Sequence, residues 1–259
     1  MLNQSKEASR HVDAVLSALD ILDCFQENPE LTIKEIIETT GLTRSRVMRL
    51  LGTLAVRGYI VSNPENGTFH PGIKVAILAR SFEKNNQIEV LVRPVLKQLA
   101  QDSGESSTFY VQDGQDRVVL AREEGKHRIR YVIPEGARFH LSRGGAAGKI
   151  LLAFGPPELL EKVILASGKD GAIIASGVEA VRRQGCAVSR AENTPDARSI
   201  AAPVFKSEGK LAGALTISGP AIRMNEEQIQ AWSGVVVKTA RFLSERLGGS
   251  RRSKRETGL

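Results

Sequence analysis

The first third of the chain alternates between stretches of helical periodicity and turn residues. Apolar residues recur from Val12 to Phe25 at the three- and four-residue spacing of one helix face. A capping-box pattern from Thr32 to Glu35 predicts a second short helix, and Gly41 ends it because glycine readily takes the left-handed conformation. Thr43 is the predicted N-cap of a third helix. Two short helices around a glycine turn predict a helix-turn-helix.

A β-hairpin is predicted after the third helix. Tyr59–Val61 and Thr68–His70 are β-prone runs, and Asn66 followed by Gly67 favours a tight turn between them. A hairpin directly after a helix-turn-helix predicts a wing. Residues 73–86 regain helical periodicity, and we expect them to form a linker helix between two domains.

Beyond residue 106 the pattern changes to β-prone runs interleaved with helical segments. Strands are predicted over Thr108–Gln112, Arg117–Arg122, Ile129–Ile133, Ala187–Val188, Ile200–Phe205 and Leu211–Ser218. Helices are predicted over Gly145–Phe154, Pro157–Ala166, Val178–Arg183 and Glu226–Leu247. This order predicts an α+β fold with a largely antiparallel sheet. The predicted boundaries are 1–72 for the winged helix-turn-helix, 73–86 for the linker, 87–248 for the second domain and 249–259 for a disordered basic tail.

The composition bounds the class of protein. With 259 residues, 41% of them hydrophobic and 25% charged, the chain is typical of a soluble globular protein, and no apolar run is long enough for a membrane span. Two cysteines far apart in sequence, Cys24 and Cys186, favour a reduced, cytoplasmic protein over a disulfide scaffold. The net charge of +7 favours a polyanionic partner, yet residues 1–80 carry nine Lys or Arg and nine Asp or Glu. Local placement of charge therefore has to identify a nucleic-acid surface.

The predicted third helix carries such a local concentration of positive charge. No Asp or Glu lies between Glu38 and Glu65. Arginine pairs bidentately with guanine in the major groove, and hydroxyls at a helix N-terminus suit phosphate oxygens. We therefore predict contacts with double-stranded DNA from Thr43, Arg44, Ser45, Arg46, Arg49 and Arg57. The alternatives are an arginine face that is merely solvated and a winged helix used only for protein interactions.

Other chemical motifs fail on closer reading. The segment 143–150 resembles a phosphate-binding loop, but Arg143 and Ile150 stand where such a loop needs a glycine and a hydroxyl. The four histidines and two cysteines lack zinc-ligand spacing, and no G-x-S-x-G motif is present. No metal, cofactor or catalytic residue is therefore predicted.

The residues resemble the IclR family of transcription regulators over almost the whole chain. Residues 18–60 match the family's winged-helix sequence. Its C-terminal sequence is matched by GGAAGKILLAF at 144–154 and by GALTISGP at 213–220. The family signature is carried at its spacing by Gly185, Ser189, Glu192, Ser199, Ile200, Ala201, Val204 and Phe205. Lys206 departs from it, since the signature ends in Asp or Asn. The resemblance implies a GAF-like effector-binding domain, a homodimer or homotetramer, a palindromic operator and a small organic or aromatic acid as effector.

Carried over position by position, the resemblance also implies the residues of an effector pocket. They are Ala146, Ala147, Ser189, Ser199, Thr216 and Ser218. Backbone N–H groups at Ala146 and Ala147 can receive a carboxylate, and the hydroxyls can bond to its oxygens. The alternative is that these hydroxyls belong to ordinary inward-facing strand residues. Family members that bind small keto acids often carry Asp and Cys where Ser189 and Ser199 stand, so the identity of the ligand is not carried over.

The function expected is that of a DNA-binding transcriptional regulator, a repressor or an activator, whose operator binding responds to a small-molecule effector. The alternative from another class is an enzyme that acts on a small carboxylate in the C-terminal domain. The sequence offers that alternative no nucleophile–base pair, and a turnover assay with candidate acids distinguishes the two.

Overall fold

A computed structural model describes residues 11–26, 28–85, 87–190, 192 and 195–249. The predicted basic tail, apart from Gly249, lies outside the described residues. The chain divides into two compact units, residues 1–85 and 86–259. Among the described residues, the first unit has one hydrophobic core and the second unit has two.

The first unit is a small helical domain with a three-stranded sheet. Its elements are α1 (Asp13–Asp23), β1 (Leu31–Thr32), α2 (Ile33–Thr40), α3 (Arg44–Val56), β2 (Ile60–Asn63), β3 (Thr68–Pro71) and α4 (Ile73–Asn85). The strands are antiparallel in the order β1-β3-β2. The predicted helix-turn-helix and wing are therefore confirmed.

Local chemistry sets the boundaries of α2. The backbone N–H of Glu35 donates to Thr32 Oγ1 at 3.3 Å, and the backbone N–H of Thr32 donates to Glu35 Oε2 at 2.7 Å, so the predicted capping box is formed. Gly41 ends the helix with a φ of 68°. Buried side chains from the helices and the sheet, including Ile21, Ile36 and Leu51, then fix α2 and α3 against α1.

The second unit contains a six-stranded antiparallel sheet in the order β6-β5-β4-β9-β8-β7. Its strands are β4 (Ser106–Asp113), β5 (Asp116–Glu123), β6 (Arg138–His140), β7 (Ala187–Arg190), β8 (Ala197–Phe205) and β9 (Leu211–Pro220). Its helices are α5 (Gln87–Ser103), α6 (Gly145–Phe154), α7 (Pro157–Ala166), α8 (Gly171–Gln184) and α9 (Glu226–Arg246). One core lies between the sheet and α5 with α9, and a second lies between the sheet and α6 to α8. This arrangement confirms the predicted α+β class with an antiparallel sheet.

The prediction of a strand over Ile129–Ile133 is wrong. These residues belong to a long connection between β5 and β6, and the side chain of Ile129 is 75% exposed. Pro134 follows them without an N–H to donate to a sheet. The edge of β5 is instead paired by β6, with Asp116 opposite His140.

Core packing around the sheet predicts a clear difference between two leucines. Leu215 on β9 is completely buried in the core that Trp232, the chain's one tryptophan, packs against. Leu215→Ala should destabilise the second unit by about 2–5 kcal/mol, because it leaves a cavity. Denaturant unfolding followed by Trp232 fluorescence measures the change.

The control is Leu165→Ala on α7, the same substitution at a side chain that is 82% exposed. It should shift the transition by less than about 0.5 kcal/mol. Equal shifts for the two variants would contradict this description of the core.

Candidate functional sites

Most of the predicted DNA-contacting residues lie at the start of α3 or in its N-terminal half. Thr43, Arg44, Ser45 and Arg49 are all exposed. The guanidinium groups of Arg44 and Arg49 make no hydrogen bond or ion pair with any described residue. Their donors are therefore available to an external partner such as a base edge or a phosphate.

Thr43 is the N-cap of α3 by position but not by side-chain bonding. Its hydroxyl lies 3.4 Å from the hydroxyl of Ser45, and no side chain caps the first N–H groups of the helix. Free N–H groups at a helix start attract anions, since the helix dipole is positive there. Both hydroxyls and the helix N-terminus are placed to meet a phosphate.

Arg46 differs from the other arginines of α3. Its guanidinium pairs with the carboxylate of Asp13 and also donates to the Asp13 carbonyl oxygen at 3.3 Å. Asp13 is the first residue of α1, so this ion pair ties the start of α1 to α3. Sequence reasoning missed it because the two residues are 33 positions apart.

Arg57 is not beside the other predicted DNA-contacting residues. It is the C-cap of α3, and Arg44 begins that helix. Thirteen residues at 1.5 Å each separate the two positions by roughly 20 Å along the helix axis. Arg57 is exposed, so it can reach only a different part of a duplex.

All the residues implied for the effector pocket line a single pocket in the second unit. Its empty volume is about 430 Å³, open solvent at the mouth included. It lies between the sheet and the first turn of α6, which contributes Ala146 and Ala147. The strand residues are Ser189 on β7, Ser199 on β8, and Thr216 and Ser218 on β9.

Strand register places three of these hydroxyls side by side. Ser189 is directly opposite Ser199, and Ser199 is directly opposite Ser218. Directly opposed residues share one face of a sheet, and neighbouring strands are about 4.8 Å apart. We call these three residues the serine row. None of its hydroxyls has a hydrogen-bond partner among the described residues, whereas Thr216 Oγ1 donates to the Thr108 carbonyl oxygen at 3.0 Å.

The structure adds a pocket residue that sequence reasoning missed, Arg117 on β5. The residue is only 7% exposed. Its guanidinium stacks on the rings of Tyr110 and Phe139, with 5.6 and 5.2 Å to the ring centroids, and donates through Nη1 to the Gly144 carbonyl oxygen. Its Nε is buried without a hydrogen-bond partner among the described residues. Burial also lowers the pKa of Arg117, because desolvation disfavours the charged form.

Among the described residues, no carboxylate lines this pocket to balance the charge of Arg117. Burial raises the pKa of Tyr110 to about 12, so its phenol stays protonated and cannot act as a counter-ion. A second arginine, Arg198, also lines the pocket, but its guanidinium is engaged by Glu226 Oε1 at 3.4 Å and the Met224 carbonyl oxygen at 3.2 Å. Arg117 is therefore the charge that the pocket leaves unbalanced.

A signal for Arg117 was present in the sequence. Along β5 the buried positions Arg117 and Val119 alternate with the half-buried Asp116, Val118 and Leu120. An arginine in phase with buried apolar residues is unusual, because charged side chains are almost never fully buried without a partner. The place of Arg117 in the alternating pattern of β5, rather than a sequence motif, could have identified it.

Neither a metal centre nor a membrane span emerges from the described part of the chain. Within it, no three His, Cys, Asp or Glu side chains gather closely enough to hold a metal ion. None of the described helices combines the length and the apolar character needed to cross a bilayer.

Two family models match the chain in the same order as its two units. The IclR helix-turn-helix domain matches residues 14–64, and the bacterial transcriptional regulator IclR C-terminal model matches residues 81–245. The chain belongs to the IclR family. The resemblance inferred from the sequence is thereby confirmed.

Relatives of this IclR-family regulator agree with that assignment. The HTH-type transcriptional regulator BhcR of Paracoccus denitrificans is 31% identical, with 92% of this chain and 88% of that protein covered. An IclR-type regulator structure from Silicibacter sp. TM1040 has a TM-score of 0.77 at 24% identity, covering 92% of this chain and 97% of that one. An IclR homologue of Microbacterium hydrocarbonoxydans, complexed with 4-hydroxybenzoate, has a TM-score of 0.78 at 18% identity, covering 91% and 99%. At these identities the two structures support the fold alone.

The protein is thus a transcriptional regulator with a DNA-binding helix-turn-helix and a C-terminal effector-binding domain. The curated relatives that it matches are named as regulators or repressors, so the enzyme alternative receives no support from them.

The pair between Arg46 and Asp13 generates a testable prediction about DNA affinity. Asp13→Asn removes a carboxylate next to α3 and releases Arg46, so affinity for duplex DNA should rise a few-fold. The pair is solvent-exposed, so the variant should lose no more than about 1 kcal/mol of stability. Fluorescence anisotropy with a labelled duplex and a thermal melt measure the two effects.

The matched control is Asp20→Asn, the same change on the same helix at an exposed residue whose carboxylate makes no ion pair with a described residue. Weaker DNA binding by Asp13→Asn than by the control would mean that Asp13 positions Arg46 rather than restrains it.

Proposed function

We propose that this regulator binds a palindromic operator as a homodimer or homotetramer and that a small carboxylate in the pocket lined by the serine row modulates that binding. The observation that carries the proposal is the lining of the pocket. It gathers a buried arginine, a helix N-terminus and hydroxyls without a hydrogen-bond partner, and it includes no carboxylate, as far as the described residues go. Such a lining favours an anion over a neutral or cationic ligand.

On the DNA side, Arg44 and Arg49 are the proposed readers of base edges, since their guanidinium groups have no partner among the described residues. Thr43 and Ser45 are proposed to bind a phosphate at the start of α3. Arg46 is proposed to join the contact once DNA competes for it with Asp13, and Arg57 to bind the backbone farther along. A DNA-binding regulator works beside the chromosome, so we also propose a cytoplasmic location.

The connection between the sites is proposed to run through the linker assigned to residues 73–86, most of which form α4. The loop that brings Tyr131 and Ile133 to the pocket also contains Glu135. Glu135 Oε1 accepts from Arg93 Nη1 at 2.9 Å, and Arg93 belongs to α5, the helix that follows the linker. The loop is therefore joined by a hydrogen bond to α5, the first helix of the second unit. A ligand that moves the loop also moves this contact.

The DNA-binding proposal predicts unequal effects of arginine substitutions. Arg44→Ala and Arg49→Ala should each weaken binding to a duplex selected from a random pool by about 1–3 kcal/mol and relax the base preference. Arg57→Ala should weaken binding to all duplexes alike. It should also lower the slope of log affinity against log salt concentration by about one. Electrophoretic shifts at several salt concentrations measure both.

The charge-matched control is Arg183→Ala on α8, an exposed arginine of the effector-binding domain. If Arg44→Ala and Arg49→Ala bind the selected duplex as tightly as this control does, α3 is not the reading element.

The effector proposal predicts that at least one small carboxylate changes the affinity for the selected duplex. The size of the change equals the ligand's differential affinity for the free and the DNA-bound protein, typically about 5- to 150-fold. Anisotropy titrations with a panel of aliphatic and aromatic acids measure it. Duplex binding that no acid in the panel alters would contradict the effector half of the proposal.

A further inference from the structure

Arg117 is a buried positive charge without a counter-ion among the described residues. It lies on β5, in the layer between the sheet and α6, and only 7% of the residue is exposed to solvent. The described groups against its guanidinium carry no negative charge: the Gly144 carbonyl oxygen accepts from it, and the rings of Tyr110 and Phe139 flank it. A buried charge is ordinarily paired, because desolvation costs several kcal/mol otherwise.

The elements around Arg117 supply more positive potential rather than a compensating negative charge. The N-terminal turn of α6 faces the same pocket, and its N-cap, Gly144, has no side chain to cap the free N–H groups. The carboxylate of Glu192 forms an ion pair with Lys149 on α6, so it is already neutralised. The pocket therefore concentrates a helix dipole and a guanidinium at one end.

The opposite wall of the pocket offers hydroxyls without a partner. The serine row spans β7, β8 and β9, whereas Arg117 lies on β5. In the sheet order, β4 and β9 separate β5 from β8. Arg117 and Ser199 are thus three strand spacings apart across the sheet. They also differ in level along the strands, since Arg117 pairs with Gln112 near the end of β4, whereas Ser218 pairs with Ser106 at its start. Arg117 and the serine row therefore line different parts of the pocket.

We propose that Arg117 is the residue that binds the carboxylate of the effector in this pocket. Arg117 is in this account the residue that selects for charge. The inference rests on the proposed function and specifies which side chain of its pocket recognises the carboxylate.

One consequence concerns the protein without ligand. Since Arg117 then holds a desolvated charge that nothing neutralises, replacing it by an apolar side chain of similar length removes a cost rather than a stabilising pair. Arg117→Met should melt at the same temperature as the parent protein or higher, and it should lose the response to acids. A structural arginine predicts the opposite, a lower melting temperature.

The first test uses the parent protein and pairs of ligands. Each acid of the panel is compared with its own amide, which has the same shape and no charge. Calorimetric titration should find at least one acid that binds, with its amide weaker by about 10-fold or more, because a hydrogen bond to a charged group is lost. If the acid and its amide bind equally, Arg117 is not reading charge and the inference is wrong.

The second test uses variants. Arg117→Met should bind the same acid about 10- to 100-fold more weakly, and Arg117→Lys should fall between, since lysine keeps the charge but not the planar donor fork. The control is Arg138→Met on the neighbouring strand β6, whose guanidinium is already paired with Asp113 and Asp116. Should Arg117→Met fail to fold, Arg117→Lys and the acid–amide pairs decide the outcome.

The failures of the two proposals are distinguishable. Acid binding that Arg117→Met leaves intact overturns the role of Arg117 while the regulator keeps its carboxylate effector. If the parent protein binds no acid of the panel, the effector half of the proposed function fails, and the inference fails with it.

Discussion

A charge removed from water costs free energy until it is neutralised, and Arg117 places this constraint inside the effector-binding domain. Arg117 is buried on β5 in alternation with Val119, which fills its own position with an apolar side chain. The sheet and α6 enclose it, two aromatic rings flank it, and a single carbonyl oxygen accepts from it. The proposed carboxylate would neutralise this charge, and its binding would then raise the stability of the domain.

The antiparallel sheet supplies the rest of the recognition chemistry through its register. Because β7, β8 and β9 are aligned residue against residue, one serine from each strand arrives on the same face, directly below the first turn of α6. A shift of one residue in any strand would turn its hydroxyl to the α9 side of the sheet. The packed layers on both faces of the sheet, each with its own buried core, hold that register.

Local signals in the sequence predicted the first unit well, and the reasons are physical. The capping box at Thr32 and Glu35, the turn at Gly41 and the hairpin turn at Gly67 are formed by neighbouring residues, so the sequence contains their whole cause. The strand predicted at Ile129–Ile133 failed because its apolar residues suggest a sheet position that β6 already occupies. The pair between Arg46 and Asp13 and the burial of Arg117 arise from tertiary contacts, which periodicity does not encode. The pocket positions implied by the family resemblance line one cavity, but that resemblance pointed to hydroxyls and backbone N–H groups and not to the charge beside them.

The central claim is that the guanidinium of Arg117 contacts the effector's carboxylate. Side-chain NMR of the ¹⁵N-labelled protein observes this directly, because the Nε–H resonance of Arg117 can be assigned by its absence in Arg117→Lys. When a binding acid is added, the account predicts a downfield shift of that resonance and slower exchange of its proton with water, as a charge-assisted hydrogen bond forms. An Nε–H signal that stays unchanged while the acid saturates the protein would contradict the account.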